Sequence, residues 1–134
     1  MVIFDSGGFL DKKLEPILRA STLVIVPIDF SNNTITTLSL FLEELQTLNK
    51  TIMFVCTKIE NDKKFQELKE ILSDMGIQNK FIFKLRKTSI FETVLEKNIG
   101  VFEAQKMVWF GSRYQNFIEE YTQILNVLTM QRHD

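Results

Sequence analysis

Short apolar runs rich in β-branched residues alternate along this chain with longer segments whose apolar residues recur at helical spacing. Polar or glycine-containing segments separate the runs, a pattern that is typical of buried strands. The runs predict strands at 2–4, 23–27, 51–57 and 81–85. The helical patterns predict helices at 10–20, 34–49, 62–75, from Thr88 or Ser89 to Lys97, and from Ser112 onwards, with a loop near 99–110.

The alternation of strands and helices indicates βαβ units, in which parallel strands form one sheet and helices cover both faces. We therefore predict one α/β domain over residues 1–134, with three αβα layers and a mainly parallel sheet of about four to five strands. Capping residues support the helix limits. Ser31 to Asn33 precede the second helix, Gly76 ends the third, and Asn98 suits a left-handed residue after the fourth.

Composition and charge exclude several classes of protein. The 134 residues are 45% hydrophobic, enough for a core, and the formal charge of −1 gives no global basic field for nucleic acid. The apolar runs fall short of the ~20 residues of a membrane span. Cys56 is the single cysteine, which fits a reducing compartment, and the single histidine, His133, argues against a catalytic triad. We expect a cytoplasmic protein without a membrane span.

The first eight residues carry candidate metal chemistry. The apolar run at 2–4 ends in Asp5, and Gly7 and Gly8 follow closely. In nucleotide-binding α/β proteins a strand presents an aspartate in this way to Mg²⁺ and phosphates, and glycines let the backbone approach the ligand. The pattern also fits a plain turn, and the sequence contains no Gly-x-x-x-x-Gly-Lys-Ser/Thr phosphate loop. Both interpretations stay open at this point.

Charged residues near other strand ends also allow two interpretations. Lys84, Arg86 and Lys87 cluster where the fourth strand ends, at the sheet edge that binds ligands in parallel α/β domains. They fit an anion site or, more simply, a solvated edge. The segment 60–62 (Glu-Asn-Asp) fits a cation site or, more simply, the cap of the following helix. Cys56 lies inside a strand pattern, where a small core residue is a simpler interpretation than a nucleophile.

Four segments together resemble the ParA/MinD group of deviant-Walker P-loop ATPases, most closely the ParA-type partition proteins. Val2 to Gly8 resembles the Walker B segment of that family, and Ala20 to Pro27 is similar to its A-D-x-V-I-x-P strand. Phe54 to Lys58 resembles the strand that helps to frame the adenine. Arg86, followed by Phe91 to Glu103, is similar to the ParA stretch R…F-x-x-A…G-x-x-V-x-E.

The sequence also departs from the family. Ser6-Gly7 stands where the family has Thr-Pro, Thr57 where it has Asn, and Asn98 where it has Gly. In the family the phosphate loop lies N-terminal to the Walker B strand, with which this sequence begins. The resemblance therefore implies an incomplete P-loop NTPase fold that lacks the phosphate-loop strand. Because unpaired sheet edges invite pairing, we expect a homodimer, strand exchange, or pairing with a missing N-terminal half.

The resemblance also implies roles for individual residues. Asp5 would hold Mg²⁺ through water, and Gly8 would lie near the γ-phosphate. The base would be surrounded by residues from two strand ends: Thr57, Lys58, Leu85 and Arg86. The candidates for DNA contact are the basic residues that end the fourth strand: Lys84, Arg86 and Lys87.

The implied function is ATP-dependent partitioning of plasmid or chromosomal DNA, with a partner protein that stimulates hydrolysis. ATP and Mg²⁺ are cofactors of the intact family, but without a phosphate loop we expect this chain alone to bind neither and to be inactive. The last predicted helix has no basic amphipathic face for a membrane surface, which favours DNA. The alternative is a nucleotide-free interaction or dimerisation module. A receiver-like domain fits less well, because no adjacent pair of acids flanks Phe4.

Overall fold

Three parallel strands form one sheet in a computed structural model that describes residues 1–6, 12–77 and 81–130. The strands lie in the order β1-β2-β3, where β1 is Leu23–Ile28, β2 is Thr51–Ile59 and β3 is Ile82–Arg86. β1 pairs with β2 in continuous register, with Leu23 opposite Thr51. β2 pairs with β3 with Phe54 opposite Ile82, and the register is irregular between Cys56 and Ile59.

The described residues form six α-helices: α1 Glu15–Ala20, α2 Asn32–Thr47, α3 Asp62–Asp74, α4 Ile90–Lys97, α5 Val101–Gln105 and α6 Gln115–Met130. Single 3-10 turns at Lys12–Leu14 and Ser112–Tyr114 lead into α1 and α6. Each strand is followed by a helix, so the predicted alternation is confirmed. None of the described helices is long and apolar enough to cross a lipid bilayer.

Local capping chemistry sets the helix ends. The Ser31 hydroxyl accepts a hydrogen bond from the backbone N–H of Thr34 at 3.2 Å, and the Asn61 side chain accepts one from Lys64 at 2.9 Å. Both bonds satisfy N–H groups that a helix start leaves unpaired. Asn98, with φ of 52°, supplies the left-handed residue after α4. The capping interpretation of segment 60–62 and the left-handed Asn98 are therefore confirmed.

The sheet lies between two layers of helices. Successive side chains of β2 point to opposite faces. Phe54 and Cys56 are buried against α2 and α3, whereas Met53 and Val55 are buried in a second cluster with Ile124 of α6. Desolvation in this core raises the pKa of the Cys56 thiol to about 12, so it is a neutral core residue at physiological pH. The coarse αβα layering is confirmed.

A third apolar cluster joins α4, α5 and α6. Its buried members are Ile90, Val94, Ala104, Phe110, Tyr114, Phe117 and Ile118. Phe117 is 1% exposed; its ring meets Phe91 of α4 edge-on at 5.3 Å and stacks on Tyr121 at 5.5 Å. The C-terminal half of the chain thus has its own core beside the sheet.

Several sequence predictions are wrong. Residues 2–4 form no strand, since residues 1–6 have no regular secondary structure and the side chains of Met1 to Phe4 are 66–81% exposed. So short a run makes too few hydrogen bonds to offset the entropy of ordering it. The described residues therefore hold three strands, not four or five. The expected loop at 99–110 contains α5, and Gly111 rather than Ser112 precedes the turn that leads into α6.

β1 is an edge strand of the sheet. On the face of the sheet that α6 covers at β2, β1 is exposed. In the described part of the chain, β1 pairs only with β2. Ile25 stands in register with Met53, yet Met53 is 0% exposed and Ile25 is 43% exposed, so α6 covers β2 and leaves β1 open. Pro27, which has no N–H for a ladder, is also exposed and is tolerated at such an edge.

Candidate functional site

The carboxyl ends of parallel strands share one sheet edge, where ligands bind in open α/β domains. Asp29 follows β1 at this edge. Its Oδ1 accepts hydrogen bonds from the backbone N–H of Ser31 at 3.1 Å and from the hydroxyl of Thr34 at 2.7 Å. Hydrogen bonding with Ser31, and then with Thr34, holds the pKa of the Asp29 carboxyl below its usual value. The edge therefore carries an ionised carboxylate at the start of α2.

Thr57 and Lys58 lie next to Asp29, near the end of β2. The Thr57 hydroxyl donates to the carbonyl of Ile28 at 3.4 Å and so links the ends of β1 and β2. Lys58 adopts a left-handed conformation, with φ of 56°, and its Nζ lies 3.8 Å from Oδ2 of Asp29. Its side chain is 75% exposed. Two of the predicted base-binding residues are thus brought together with a carboxylate.

Arg86, at the end of β3, is held by Glu120 of α6. Glu120 Oε1 accepts from Nε of Arg86 at 3.1 Å and from Nη2 at 2.8 Å, while Oε2 accepts from the backbone N–H of Arg86 at 2.9 Å. Glu120 is 8% exposed. Its hydrogen bonds raise the pKa of the Arg86 guanidinium. The guanidinium is therefore fixed in one orientation by a buried carboxylate.

Lys84 extends this charge network to α3. Its Nζ lies 2.6 Å from Oδ1 of Asp62 and 3.4 Å from Oε1 of Glu120. The hydrogen bond with Asp62 raises the pKa of Lys84 and lowers that of Asp62. Lys87 is different: its side chain is 70% exposed, and its Nζ lies 4.0 Å from Oε1 of Glu60. Of the three predicted DNA-contact residues, Lys87 is the most exposed, whereas Lys84 and Arg86 serve ion pairs within the fold.

Two open clefts of about 490 Å³ each flank Arg86. The first lies between α3, β3 and α6 and includes Asp62 and Glu120 in its wall. The second lies between the end of β3 and α4 and includes Glu92 and Arg113. Each cleft mixes cationic and anionic side chains. Neither therefore has the single-sign field that concentrates a polyanion.

The remaining predicted residues do not join this edge. Leu85 is half-buried and packs into the two clusters formed with α6, so it contacts the core. Asp5 is exposed in a segment without a strand, so no strand presents it to the sheet edge, and its metal role stays a prediction. Gly8 lies outside the described residues. Within those residues, no group of three or more His, Cys, Asp or Glu could hold a metal ion.

Asp29 and Glu120 are important polar residues that the sequence interpretation missed. Asp29 has a sequence signal, because it lies two residues after the predicted strand at 23–27 and precedes a helix cap. Glu120 has none. It is separated from Arg86 by 34 positions, and only the contact between β3 and α6 makes the two neighbours.

Comparisons with protein-family models, with curated proteins and with solved structures find no match to this chain. The resemblance to ParA-type ATPases therefore stays a hypothesis that rests on the four segments quoted above. Two structural features bear on the function that this resemblance implies. They are the strand-end site of Asp29, Thr57 and Lys58, and the open edge of β1.

Proposed function

We propose that this chain contributes the C-terminal part of a ParA-like nucleotide-binding domain that acts in DNA partitioning. The open edge of β1 supports this most directly. In the ParA-like fold the phosphate-loop strand lies between the Walker B strand and the strand that β1 resembles. A strand added at this edge, with the helix that follows a phosphate loop, would pair the side of β1 that has no strand partner among the described residues and would cover Ile25.

The strand-end site is suitably located for a nucleotide. A phosphate loop added beside β1 would begin at the same carboxyl edge that carries Thr57 and Lys58. The exposed Lys58 ammonium can then reach an anionic ligand, while Asp29 holds the start of α2 through Ser31 and Thr34. The sequence contains no phosphate loop, which supplies the row of backbone N–H donors that neutralises a triphosphate. ATP and Mg²⁺ are therefore cofactors of the completed domain.

Calorimetric titration of the chain with ATP and Mg²⁺ tests this dependence. We expect no binding by the chain alone, because the phosphate contacts are missing. The Asp5→Ala variant serves as the control and should behave identically. Micromolar binding by the chain that is lost in the variant would contradict the need for an added loop and would restore Asp5 as a metal-associated residue.

A second candidate function is a nucleotide-free dimerisation module, which a different observation supports. The side chains of Met1 to Phe4 are 66–81% exposed, and the segment has strand-forming composition. A second copy could therefore offer this segment to the open edge of β1. Such exchange satisfies backbone groups on both chains at little cost.

The Ile25→Lys variant tests self-association at this edge. A lysine on an edge strand opposes strand pairing, because pairing would bury its charge. We expect the mass of the wild-type chain, measured by sedimentation equilibrium, to rise with concentration, and that of the variant to stay monomeric. Leu40→Lys is the matched control, since Leu40 lies on α2 and is 80% exposed. A monomeric wild-type mass at every concentration would exclude the dimerisation module.

A further inference from the structure

The turn between α5 and α6 presents an unusually exposed apolar surface. Met107, Val108 and Trp109, here called the 107–109 tip, are 40%, 101% and 39% exposed. Val108 thus projects fully into solvent. The side chain of the adjacent Phe110 is in contrast 2% exposed. Val108 therefore has no role in the core of the described chain, and about two fifths of Met107 and of Trp109 is left open to solvent.

The base of the 107–109 tip is fixed, so the tip cannot fold back into the core without breaking contacts. The backbone N–H of Met107 donates to Ala104 at 2.9 Å, and that of Phe110 donates to Met107 at 3.1 Å. The Phe110 ring packs on Tyr114 at 5.0 Å and on Trp109 at 6.1 Å. The turn is thereby joined to the third apolar cluster, while Val108 stays fully exposed.

Cationic residues flank this tip along the chain, while Glu92 of α4 lies in the same cleft as Arg113. The Lys97 ammonium lies 5.5 Å from the centre of the Trp109 ring. Lys106 and Arg113 flank the turn, and no Asp or Glu occurs from position 104 to 118, between Glu103 and Glu119. The guanidinium of Arg113 lies 5.4 Å from the Tyr114 ring. An apolar tip with basic flanks and an amphipathic indole is complementary to the interface of an anionic membrane.

We propose that the 107–109 tip inserts into the headgroup region of anionic phospholipid bilayers and so docks the protein reversibly on membrane surfaces. Val108 enters the acyl boundary, the Trp109 indole lies at headgroup depth, and Lys97, Lys106 and Arg113 meet lipid phosphates and carboxylates. Nucleic acid fits the surface less well, because the exposed aliphatic side chains of Met107 and Val108 gain nothing from phosphates. This inference does not depend on the proposed nucleotide chemistry.

The proposed contact between the 107–109 tip and the membrane is weak, and it differs from binding through an amphipathic helix. The sequence of α6 has no basic face, and the turn before it supplies the apolar and basic groups together. A few inserted side chains and a few cations give an affinity at which binding is reversible. Stable anchoring at such an affinity needs a second membrane contact. Multiple copies on one surface would strengthen it.

Trp109 is the only tryptophan of the chain, so its fluorescence reports on the tip alone. The full chain is titrated with vesicles of phosphatidylcholine and with vesicles that also contain phosphatidylserine. We expect a blue shift of the emission and cosedimentation with the anionic vesicles only. Val108→Asp should weaken binding by at least about tenfold, because it replaces an inserted side chain with a charge that anionic lipid repels.

Two further variants separate the charge contribution from nonspecific adhesion. Lys106→Gln should weaken binding to anionic vesicles by roughly fivefold, the loss expected for one cation near such a surface. Leu40→Asp, on the exposed face of α2, should leave binding unchanged. All three substitutions lie at exposed positions, and circular dichroism checks that the fold is retained.

Four outcomes would overturn the proposal. They are no blue shift with any vesicle, equal binding to neutral and anionic vesicles, a blue shift that grows with protein concentration in the absence of lipid, and a Trp109 response to oligonucleotides but not to vesicles. The third would assign the tip to contact with a second copy, and the fourth to nucleic acid.

Discussion

Replacing Glu120 with alanine is expected to lower the free energy of unfolding by about 3 kcal/mol. The substitution removes the acceptor of three hydrogen bonds from Arg86, one of them from its backbone N–H, and the second acid near Lys84. The guanidinium is partly accessible to water, with 35% of the side chain exposed, which keeps the loss at the lower end for a broken buried pair. Urea unfolding followed by circular dichroism measures the effect.

Glu119→Ala is the matched control, because Glu119 precedes Glu120 on α6 but is exposed. Both substitutions change helix propensity equally, and Glu119 acts on Arg86 only as a nearby charge, so their difference reports the hydrogen-bonded contacts of Glu120. We expect a change within about 0.5 kcal/mol for the control. Glu120→Gln should lie between the two, since an amide can still accept a hydrogen bond but carries no charge. Equal midpoints for the two alanine variants would mean that the network contributes nothing to stability.

Replacing Phe117 with alanine is expected to cost about 3–5 kcal/mol, the range for emptying a fully buried aromatic site. Phe117 is 1% exposed and contacts the rings of Phe91 and Tyr121, so the loss includes two aromatic pairs as well as a cavity. A domain with a total stability of about 5–15 kcal/mol would lose a large part of it. The midpoint of thermal or urea unfolding gives the result.

Phe102→Ala provides the comparison for this cavity. Phe102 is 45% exposed and meets Tyr121 at a ring distance of 5.8 Å, so its removal opens no closed space. We expect a loss of about 1 kcal/mol for this variant. Trp109 fluorescence adds a local readout, because Phe110 joins the turn to the same cluster as Phe117. If Phe117→Ala unfolds with the same midpoint as Phe102→Ala, the third cluster is not a cooperative part of the core.

Strong periodic signals in the sequence are the ones that the structure confirms. The runs at 23–27, 51–57 and 81–85 become β1, β2 and β3 with limits that differ by at most two residues at any end. Helix α3 occupies Asp62–Asp74, as its apolar spacing and its Asn61 cap predicted. The predictions of these elements are correct because the hydrophobic periodicity and the capping or turn residues indicate the same first and last residues.

Residues 2–4 show that apolar composition alone is not enough to predict a strand. Their apolar composition is that of a strand, but a strand exists only where a neighbouring strand offers hydrogen bonds. Within residues 1–6, 12–77 and 81–130 no strand pairs with them, and their side chains are exposed. The prediction that depended on this strand, the presentation of Asp5 at the sheet edge, therefore lost its structural basis. The resemblance to a Walker B segment stays a property of the sequence.

The candidate site was predictable in part. The sequence predicts Thr57 and Lys58 as a pair of base-binding residues, and they lie together because they are consecutive near the end of β2. Lys84, Arg86 and Lys87 were proposed as one basic group. The carboxylates of Asp62 and Glu120 divide it, leaving Lys87 as its most exposed member. A sequence displays the sign of each charge, but the partners of that charge depend on distant segments.

Hydrophobic periodicity and capping are local properties, so the sequence alone was enough to predict β1, β2, β3 and α3, the parallel αβα arrangement and the core position of Cys56. Three features follow only from the tertiary structure. They are which of the predicted strands join the sheet, which basic residues form ion pairs with carboxylates, and that the edge of β1 and the 107–109 tip are exposed. Those features depend on contacts between segments far apart in the chain, such as Arg86 with Glu120, and on burial, which no local pattern specifies.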